Sequence, residues 1–343
     1  MPEHRTKIGV AITAFEAAPF IGACLSSLLA SRDVDLRVVV VDNASPDDTC
    51  GAIRRWAVDH LDRAAFTEAE ADAIACTDSW LTLLKSPVNG GFAHGTNRAL
   101  ELLMADPSIA LFWVLNPDCE ARHDTAAHYA RAGTDGNFAL MGGRTLYANH
   151  PDTVQTDGGR VSRWTGVCQS VNLGKPAADT APPPVETLDF ITGANCVASR
   201  AFLEQAGLMA EHYFLYYEEV DWAMRRAALP LRHVPEAIVH HLAGATIGSG
   251  THQRRPSAFA NYFNYRNRMR FLHRFSPQSV PLALVHAAAK AGQLILKGAW
   301  DEAGGLARGA LGLSPPRAVR ARLSAEAQAL AFGAKSSVRV RTH

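Results

Sequence analysis

The chain has 343 residues, 48% of them hydrophobic and 20% charged, an ordinary soluble composition with material for one large domain or for one domain and a helical appendage. A net charge of +1 decides neither for nor against a polyanionic partner, and no nucleic acid is expected; no run of 18 or more apolar residues reads as a membrane span, and the polar start carries no secretory signal. The six cysteines (Cys24, Cys50, Cys76, Cys119, Cys168 and Cys196) show no CxxC or metal-finger spacing, so a reduced, cytoplasmic setting is expected.

Residues 8–13 read as a buried strand. Pro19 then opens a helix with Phe20, Ile21, Cys24, Leu25, Leu28 and Leu29 at helical spacing. Residues 36–41 form a second, β-branched strand ending in Asp42-Asn43. Ser45 is a candidate N-cap and Pro46 a first helical residue, with Asp47 and Asp48 in the first turn of a helix reaching about Trp56. Residues 59–78, acidic and alanine-rich, read as helix and loop. Residues 80–84 are a third strand. After it Asn89-Gly90-Gly91 begins a glycine-rich turn into a helix over 97–104; such a turn can hold a phosphate, although any tight strand-to-helix turn uses glycine.

The apolar run at 110–115 is short enough for a core strand and too short for an independent helix. Pro117 stops it, so the carboxylate of Asp118 arrives at the carboxyl end of the strand. Open α/β sheets bind ligands at that end, and a carboxylate there suits a divalent cation bridging phosphates. Asn116-Pro117-Asp118 also has the composition of a plain turn. A helix near 123–132 and a strand over 139–144 continue the rhythm of an α/β fold, a doubly wound and mostly parallel sheet with flanking helices. Residues 148–186, rich in Gly, Pro, Asp and Thr, read as an insertion lying over the site. A strand at 188–197 and a short helix from Ser199 follow.

An aromatic run at 213–217 leads into Glu218, Glu219 and Asp221 at a helix start. The helix dipole alone favours acids there. Equally, Glu218 and Asp221 lie three apart on one face, with Glu219 pointing elsewhere, and crowding raises carboxyl pKa values towards those of a general base. Residues 231–235 and 237–241 read as a strand pair ending in His240 and His241, which are either ordinary histidines or metal or phosphate ligands near Asp118. Residues 243–256, with Gly244, Gly248 and Gly250, read as a mobile lid, and a helix starts at Asn261. Residues 281–298 are apolar with basic residues, compatible with an interfacial helix and with one packed on the domain. Arg254, Arg255, Arg266, Arg268, Arg270 and Arg274, then Arg317, Arg320, Arg322, Lys335, Arg339 and Arg341, make the carboxyl third cationic, suited to anionic lipid headgroups, an acidic acceptor or simply solvent.

Taken in order, Thr13-Ala14-Phe15, Val41-Asp42-Asn43-Ala44-Ser45, the 89–97 stretch, Leu115-Asn116-Pro117-Asp118, Thr192-Gly193-Ala194, Tyr217-Glu218-Glu219-Val220-Asp221-Trp222 and Val239-His240-His241 resemble the family 2 inverting glycosyltransferases of GT-A fold, within them the rhamnosyltransferase-like subgroup. The resemblance covers roughly residues 7–275, with 148–186 as an insertion near the acceptor site and 276–343 as a basic helical extension. It implies that Asp42 bonds the nucleotide base, that Thr13 and Phe15 border base and ribose, and that Asn89, Gly91 and Asn97 line the diphosphate pocket. Asn116-Pro117-Asp118 stands at the family's Asp-x-Asp position, which implies Mg²⁺ or Mn²⁺ on Asp118 and a neutral contact from Asn116. Glu219 stands at the catalytic base, with Asp221 as its substitute, and His240 or His241 completes the metal or pyrophosphate contacts.

The implied partners are a nucleotide-sugar donor (dTDP-L-rhamnose first, then UDP-galactose, UDP-galactofuranose or a GDP-sugar) and a glycan or polyprenyl-lipid-linked acceptor. The implied setting is cell-surface polysaccharide synthesis at the inner face of the plasma membrane, as a peripheral protein that a homodimer would also suit. A dehydrogenase would need GxGxxG after the first strand, and a nucleotidyltransferase a glycine- and lysine-rich loop; Thr13-Ala14-Phe15 stands there instead. The remaining rival is a non-catalytic sugar- or nucleotide-binding protein, against which Asp118 and the three carboxylates argue.

Overall fold

The computed structural model describes residues 5–71, 73, 78–242 and 255–333. In chain order its elements are β1 (Thr6–Ala14), α1 (Ile21–Leu29), β2 (Val34–Asp42), α2 (Thr49–His60), β3 (Phe66–Glu70), β4 (Leu81–Lys85), α3 (Phe92–Met104), β5 (Leu111–Leu115), β6 (Cys119–Ala121), α4 (Thr125–Ala132), β7 (Leu140–Tyr147) and β8 (His150–Thr156). There follow β9 (Gly159–Val161), β10 (Cys168–Ser170), β11 (Asn195–Ser199), α5 (Arg200–Ala206), α6 (Glu218–Met224), β12 (Arg232–His241), α7 (Ala258–Phe275), α8 (Val280–Leu296), α9 (Trp300–Ala310), α10 (Arg317–Arg320) and α11 (Ala325–Phe332).

Among the described residues one sheet runs in the order β3-β4-β2-β1-β5-β11-β7-β12-β6, with β8 on β7. Neighbours are parallel except where β11, β6 and β8 meet their partners. Both central strands are buried on both faces, which is why their sequences are near-continuous apolar runs. Alternate residues feed two cores. Ile8, Val10, Ile12 and Trp113 pack with Leu25, Ile53, Trp56 and Tyr129 on one face. Ala11, Phe112 and Val114 pack with Leu100, Phe202, Trp222 and Phe271 on the other. From β1 the sheet extends through β2, β4 and β3 on one side, and through β5 on the other. The order reverses between β1 and β5, and a crevice opens beyond their carboxyl ends.

Four local expectations need correcting. Residues 66–70 form an edge strand rather than a helix, because pairing with β4 overrides alanine and glutamate propensity. The acids on that edge are held by Arg54 on Glu68 (2.6 Å) and Lys85 on Glu70 (2.7 Å). Helix α2 starts at Thr49, because Ser45 and Thr49 accept the backbone N–H groups of Glu16 and Ala17 and tie down the loop after β1 instead of capping at Ser45. Helix α3 starts at Phe92 rather than Asn97. The expected strand pair is one strand, Arg232–His241, with Pro235 in the irregularity between Val234 and Ile238.

The carboxyl helices do not stand apart as an extension beginning at 276. Helix α7 packs along α9, and Phe214 and Leu215 share a core with Phe259, Phe263, Val319 and Ala331. The 243–254 part of the expected lid lies outside the described residues, as do Arg254, Lys335, Arg339 and Arg341.

Residues 148–186 are anchored by a buried ion pair. Arg144 on β7 grips Asp157 with two parallel bonds (2.9 and 2.8 Å) and donates onward to the carbonyls of Ala177 and Thr180. Burial pushes the Asp157 carboxyl up, but contacts from His233, Arg144 and Asn172 outweigh it and hold the group well below the usual carboxylate range. Asp157→Ala is expected to cost about 3–5 kcal/mol in urea melts at neutral pH, because it leaves Arg144 buried without its anion. A depressed acid contributes stability that is present above its unfolded pKa and lost as pH falls. The difference between variant and parent should therefore shrink below about pH 4.

Candidate active site

A cavity of ≈ 610 Å³ fills the crevice at the switch point. Thr13, Phe15 and Asn43 come from the ends of β1 and β2, Asn89 and Gly91 from the turn before α3, and Asn116 to Asp118 from the end of β5. The facing wall carries Thr192 to Ala194, Phe214 to Tyr216, Glu218 and Glu219. Phe259 and residues 321–323 close a further side, so the carboxyl helices contribute to the cavity.

Asp118 and His241 meet through sheet register. Strand β6 follows Asp118 directly and pairs antiparallel with β12, placing His241 opposite Cys119. His241 Nε2 lies 3.2 Å from Asp118 Oδ1 and 3.2 Å from Asn116 Nδ2, while its Nδ1 is 2.6 Å from Gln155 Oε1. With Nδ1 donating to Gln155, the Nε2 lone pair faces Asp118, the arrangement usual for a metal-ligating histidine. A carboxylate oxygen and an imidazole nitrogen fit Mg²⁺ or Mn²⁺. Cys119 is close enough to join them, but it is buried, bonds to the Ala194 carbonyl and has its thiol pushed well above its usual range by burial first and by Asp118 second. Unlike Asp118 and His241, it does not line the cavity. His240 alternates to the other side of β12, half-buried, and does not line the cavity; the expectation that it is a ligand is corrected to His241 alone.

The acid wall rests on strained backbone. Phe214, Tyr216 and Tyr217 all take left-handed conformations, with φ of 65°, 69° and 74°. Helix α7 holds them there. The Asn267 amide reaches the carbonyl oxygens of Tyr213 (2.8 Å), Leu215 (2.6 Å) and Tyr216 (3.1 Å), and Arg266 adds a bond to Tyr213 (2.8 Å). From the opposite side the Phe92 N–H donates to the Phe214 carbonyl at 2.9 Å. A side chain at Gly91 would put its Cβ 2.1 Å from that carbonyl oxygen, so the turn needs glycine there.

This kink aims both Glu218 and Glu219 into the cavity, rather than turning Glu219 away. Glu218 is 2% exposed and its Oε2 has no partner, whereas Glu219 is partly open to the cavity. Burial raises the pKa of both, and the Glu219 charge raises that of Glu218 further. Two abutting carboxyls cannot both ionise easily, so the more enclosed Glu218 is the one that keeps its proton.

Asp221 is corrected outright as a base candidate. It is fully buried off the cavity, with Oδ1 on Arg225 (2.8 Å) and Oδ2 on Arg274 (2.7 Å) and Tyr213 (3.1 Å). Asn97 is likewise removed from the pocket. Its side chain spans to both backbone groups of Met209 and to Glu211, bracing α3 against the approach to the acid wall. Asp42 stands next to the cavity residue Asn43 but does not line the cavity; its buried Oδ1 lacks a donor and Oδ2 accepts from Ser45. No residue of 148–186 lines the cavity, which corrects the picture of an insertion lying over it. That segment supports the site through Gln155 on His241 and through the Gly166 carbonyl, which takes the Tyr217 hydroxyl at 2.6 Å. Sequence reasoning missed Asn43, Gln155, Asn267 and Phe259. It counted Arg322 only as tail charge, although this guanidinium lies 4.8 Å above the Phe259 ring on the cavity wall.

The family model described as Glycosyl transferase family 2 matches residues 9–164. That match covers a little under half of the chain. The chain is also similar to the low-salt glycan biosynthesis hexosyltransferase Agl10 of Haloferax volcanii, 22% identical over 236 residues, covering 67% of this chain and 65% of that protein. Two solved structures share the fold. GalNAc-T7 with UDP, GalNAc and Mn²⁺ has a TM-score of 0.55 at 14% identity, over 79% of this chain and 48% of that one. The mannosyltransferase PcManGT from Pyrobaculum calidifontis in complex with GDP-Man and Mn²⁺ has a TM-score of 0.50 at 18% identity, over 90% and 87%. The chain thus spans less than two thirds of the Agl10 and GalNAc-T7 chains. The architecture is GT-A, as the motifs of the sequence imply.

Asn267→Ala is expected to lower the unfolding free energy of the protein by about 1–3 kcal/mol, since carbonyls of a buried strained segment lose their donor. Urea denaturation followed by fluorescence checks it.

Proposed function

We propose that the protein is an inverting glycosyltransferase, moving a sugar from a nucleoside diphosphate onto a hydroxyl of a glycan or lipid-linked acceptor. One observation carries the reading: a cation-suited pair, Asp118 and His241, and a high-pKa carboxyl pair, Glu218 and Glu219, line the same cavity. The Mn²⁺ in the GalNAc-T7 and PcManGT structures supports the same use of the first pair. Asp118 and His241 would hold the ion, which when bound supplies the positive charge that stabilises the departing diphosphate. Thr13 and Phe15 would lie beside the base and ribose, with Asp42 buried behind Asn43 at that end of the cavity.

The chemistry of the chain's own residues centres on Glu219. Its carboxylate takes the proton from the acceptor hydroxyl as that oxygen attacks the anomeric carbon, opposite the leaving diphosphate, and the configuration inverts. A carboxylate whose pKa has been raised is a stronger base than an ordinary glutamate. Glu218, kept neutral by enclosure, concentrates the negative charge of the pair on the accessible member.

Glu219→Gln is expected to reduce kcat by about 10²–10⁴ with an unchanged melting temperature, and Asp118→Ala to abolish the metal-dependent part of donor binding. Turnover of Glu219→Gln within threefold of the parent would sink the assignment. Because the protonated base is inactive, kcat/KM should fall as pH drops through the raised pKa of Glu219, with a midpoint above the ordinary value of about 4.3. A non-catalytic binding protein would show no slow hydrolysis of its nucleotide sugar.

For the donor we place dTDP-L-rhamnose first, on the ordered sequence motifs, ahead of UDP-galactose, UDP-galactofuranose and GDP-sugars, in surface-polysaccharide assembly on the cytoplasmic side. Melting-temperature shifts across a nucleotide-sugar panel with Mn²⁺ or Mg²⁺ test the choice, the true donor giving the largest shift.

A further inference from the structure

A bare apolar surface lies on the carboxyl helices, far along the chain from the cavity motifs. Residues Pro277–Leu296 are apolar enough and long enough to cross a membrane by length and composition, yet only 22% of the stretch is buried. Helix α8 turns Ala283 and Ala287 inwards, and α7 and α9 pack beside it. Its outer side presents Leu282 (48% exposed), Val285 (67%), Ala289, Gly292 and Leu296 (89%), a line at alternating spacings of three and four along one face. Trp300, 67% exposed, follows the turn at the end of this line, and Leu311 is 62% exposed at the other end of α9.

Charge identifies the partner. From residue 237 to 300 the sequence has no Asp or Glu, and from 237 to 343 it has three acids against fifteen Lys and Arg; residues 1–236 have thirty acids against nineteen. Lys290, Lys297, Arg308, Arg317 and Arg320 are exposed on these helices, opposed locally by Asp301 and Glu302. A second copy of the chain would set this cationic face against itself. A neutral apolar partner would leave the cations without purpose.

We propose that the outer face of α8, with Trp300, docks in the headgroup region of an anionic lipid bilayer, the protein lying on the membrane rather than spanning it. A helix with one face in the protein core, an apolar line outwards and flanking lysines suits that interface, and an exposed tryptophan sits well at headgroup level. Lys290, midway along the helix, opposes spanning.

Flotation of the full chain tests this with vesicles of phosphatidylcholine alone and with about 30% phosphatidylglycerol. The parent should float with the anionic vesicles only and be released by about 0.5 M salt. Leu296→Asp and Trp300→Ser, both exposed and outside the cavity, should each lower partitioning at least tenfold while leaving the melting temperature and turnover of a soluble acceptor unchanged. Absence of binding to anionic vesicles, equal binding to neutral ones, or a parent dimer that Leu296→Asp splits into monomers would each overturn the proposal. Because flotation needs no turnover, its result is independent of the proposed reaction.

Discussion

Three backbone carbonyls converge on one amide, and the acid wall exists because they do. Left-handed conformations at three bulky residues in four cost of order 1–3 kcal/mol each, and residues 214–217 persist in them only because the surroundings over-determine them. Asn267 is the centre of that restraint, with Arg266 beside it and the Phe92 N–H opposite. A relaxed backbone would start α6 in a different phase. Further along the same helix Asp221 is committed to two arginines in the interior. The kink therefore turns a usable carboxyl pair to the cavity, while a structural ion-pair network begins two residues further on.

The two ends of the cavity are built by different means. Asp118 and His241 are set by strand register, β6 against β12, and the geometry follows from backbone pairing that no single side chain controls. Glu218 and Glu219 are set by side chains reaching from α7 across to carbonyls. The register-built end keeps ligands close and fixed, as a cation requires. The side-chain-built end encloses acids at the expense of their ionisation, and the resulting upward pKa is the property a proton acceptor needs.

Most of the sheet was legible because central parallel strands must be apolar on both faces, and such runs are hard to mistake. Asp118 was legible for a related reason: a proline ending a core strand delivers the next side chain to the ligand end of the sheet. Glu219 could be placed by motif. What escaped is physical in kind. Residues 66–70 have helix-favouring composition and became a strand through a partner the local sequence does not reveal. Asn97 and Asp221 are polar residues in motif-rich stretches, and only the fold shows that their hydrogen bonds are spent on Met209 and on Arg225 and Arg274. Asn267 and Gln155 carry no local pattern at all. Each acts on a segment fifty or more positions away.

The carboxyl helices join these matters. Helix α7 carries Asn267 on the side towards the acid wall and lies along α9, and α9 in turn packs on α8, whose outer face is bare. Phe259 and Arg322 bring the same helical layer to the cavity itself. One layer thus braces the acid wall, closes part of the cavity and presents a cationic, apolar surface outwards. A substrate with a hydrophilic end for the cavity and a lipid end for a bilayer would meet both properties on one protein. That arrangement also explains why positive charge is segregated into the carboxyl third instead of being spread over the chain. At a membrane surface, uniform charge of near-zero sum would give no preferred orientation, whereas segregation of this kind turns one face towards the lipid and the acidic remainder away from it.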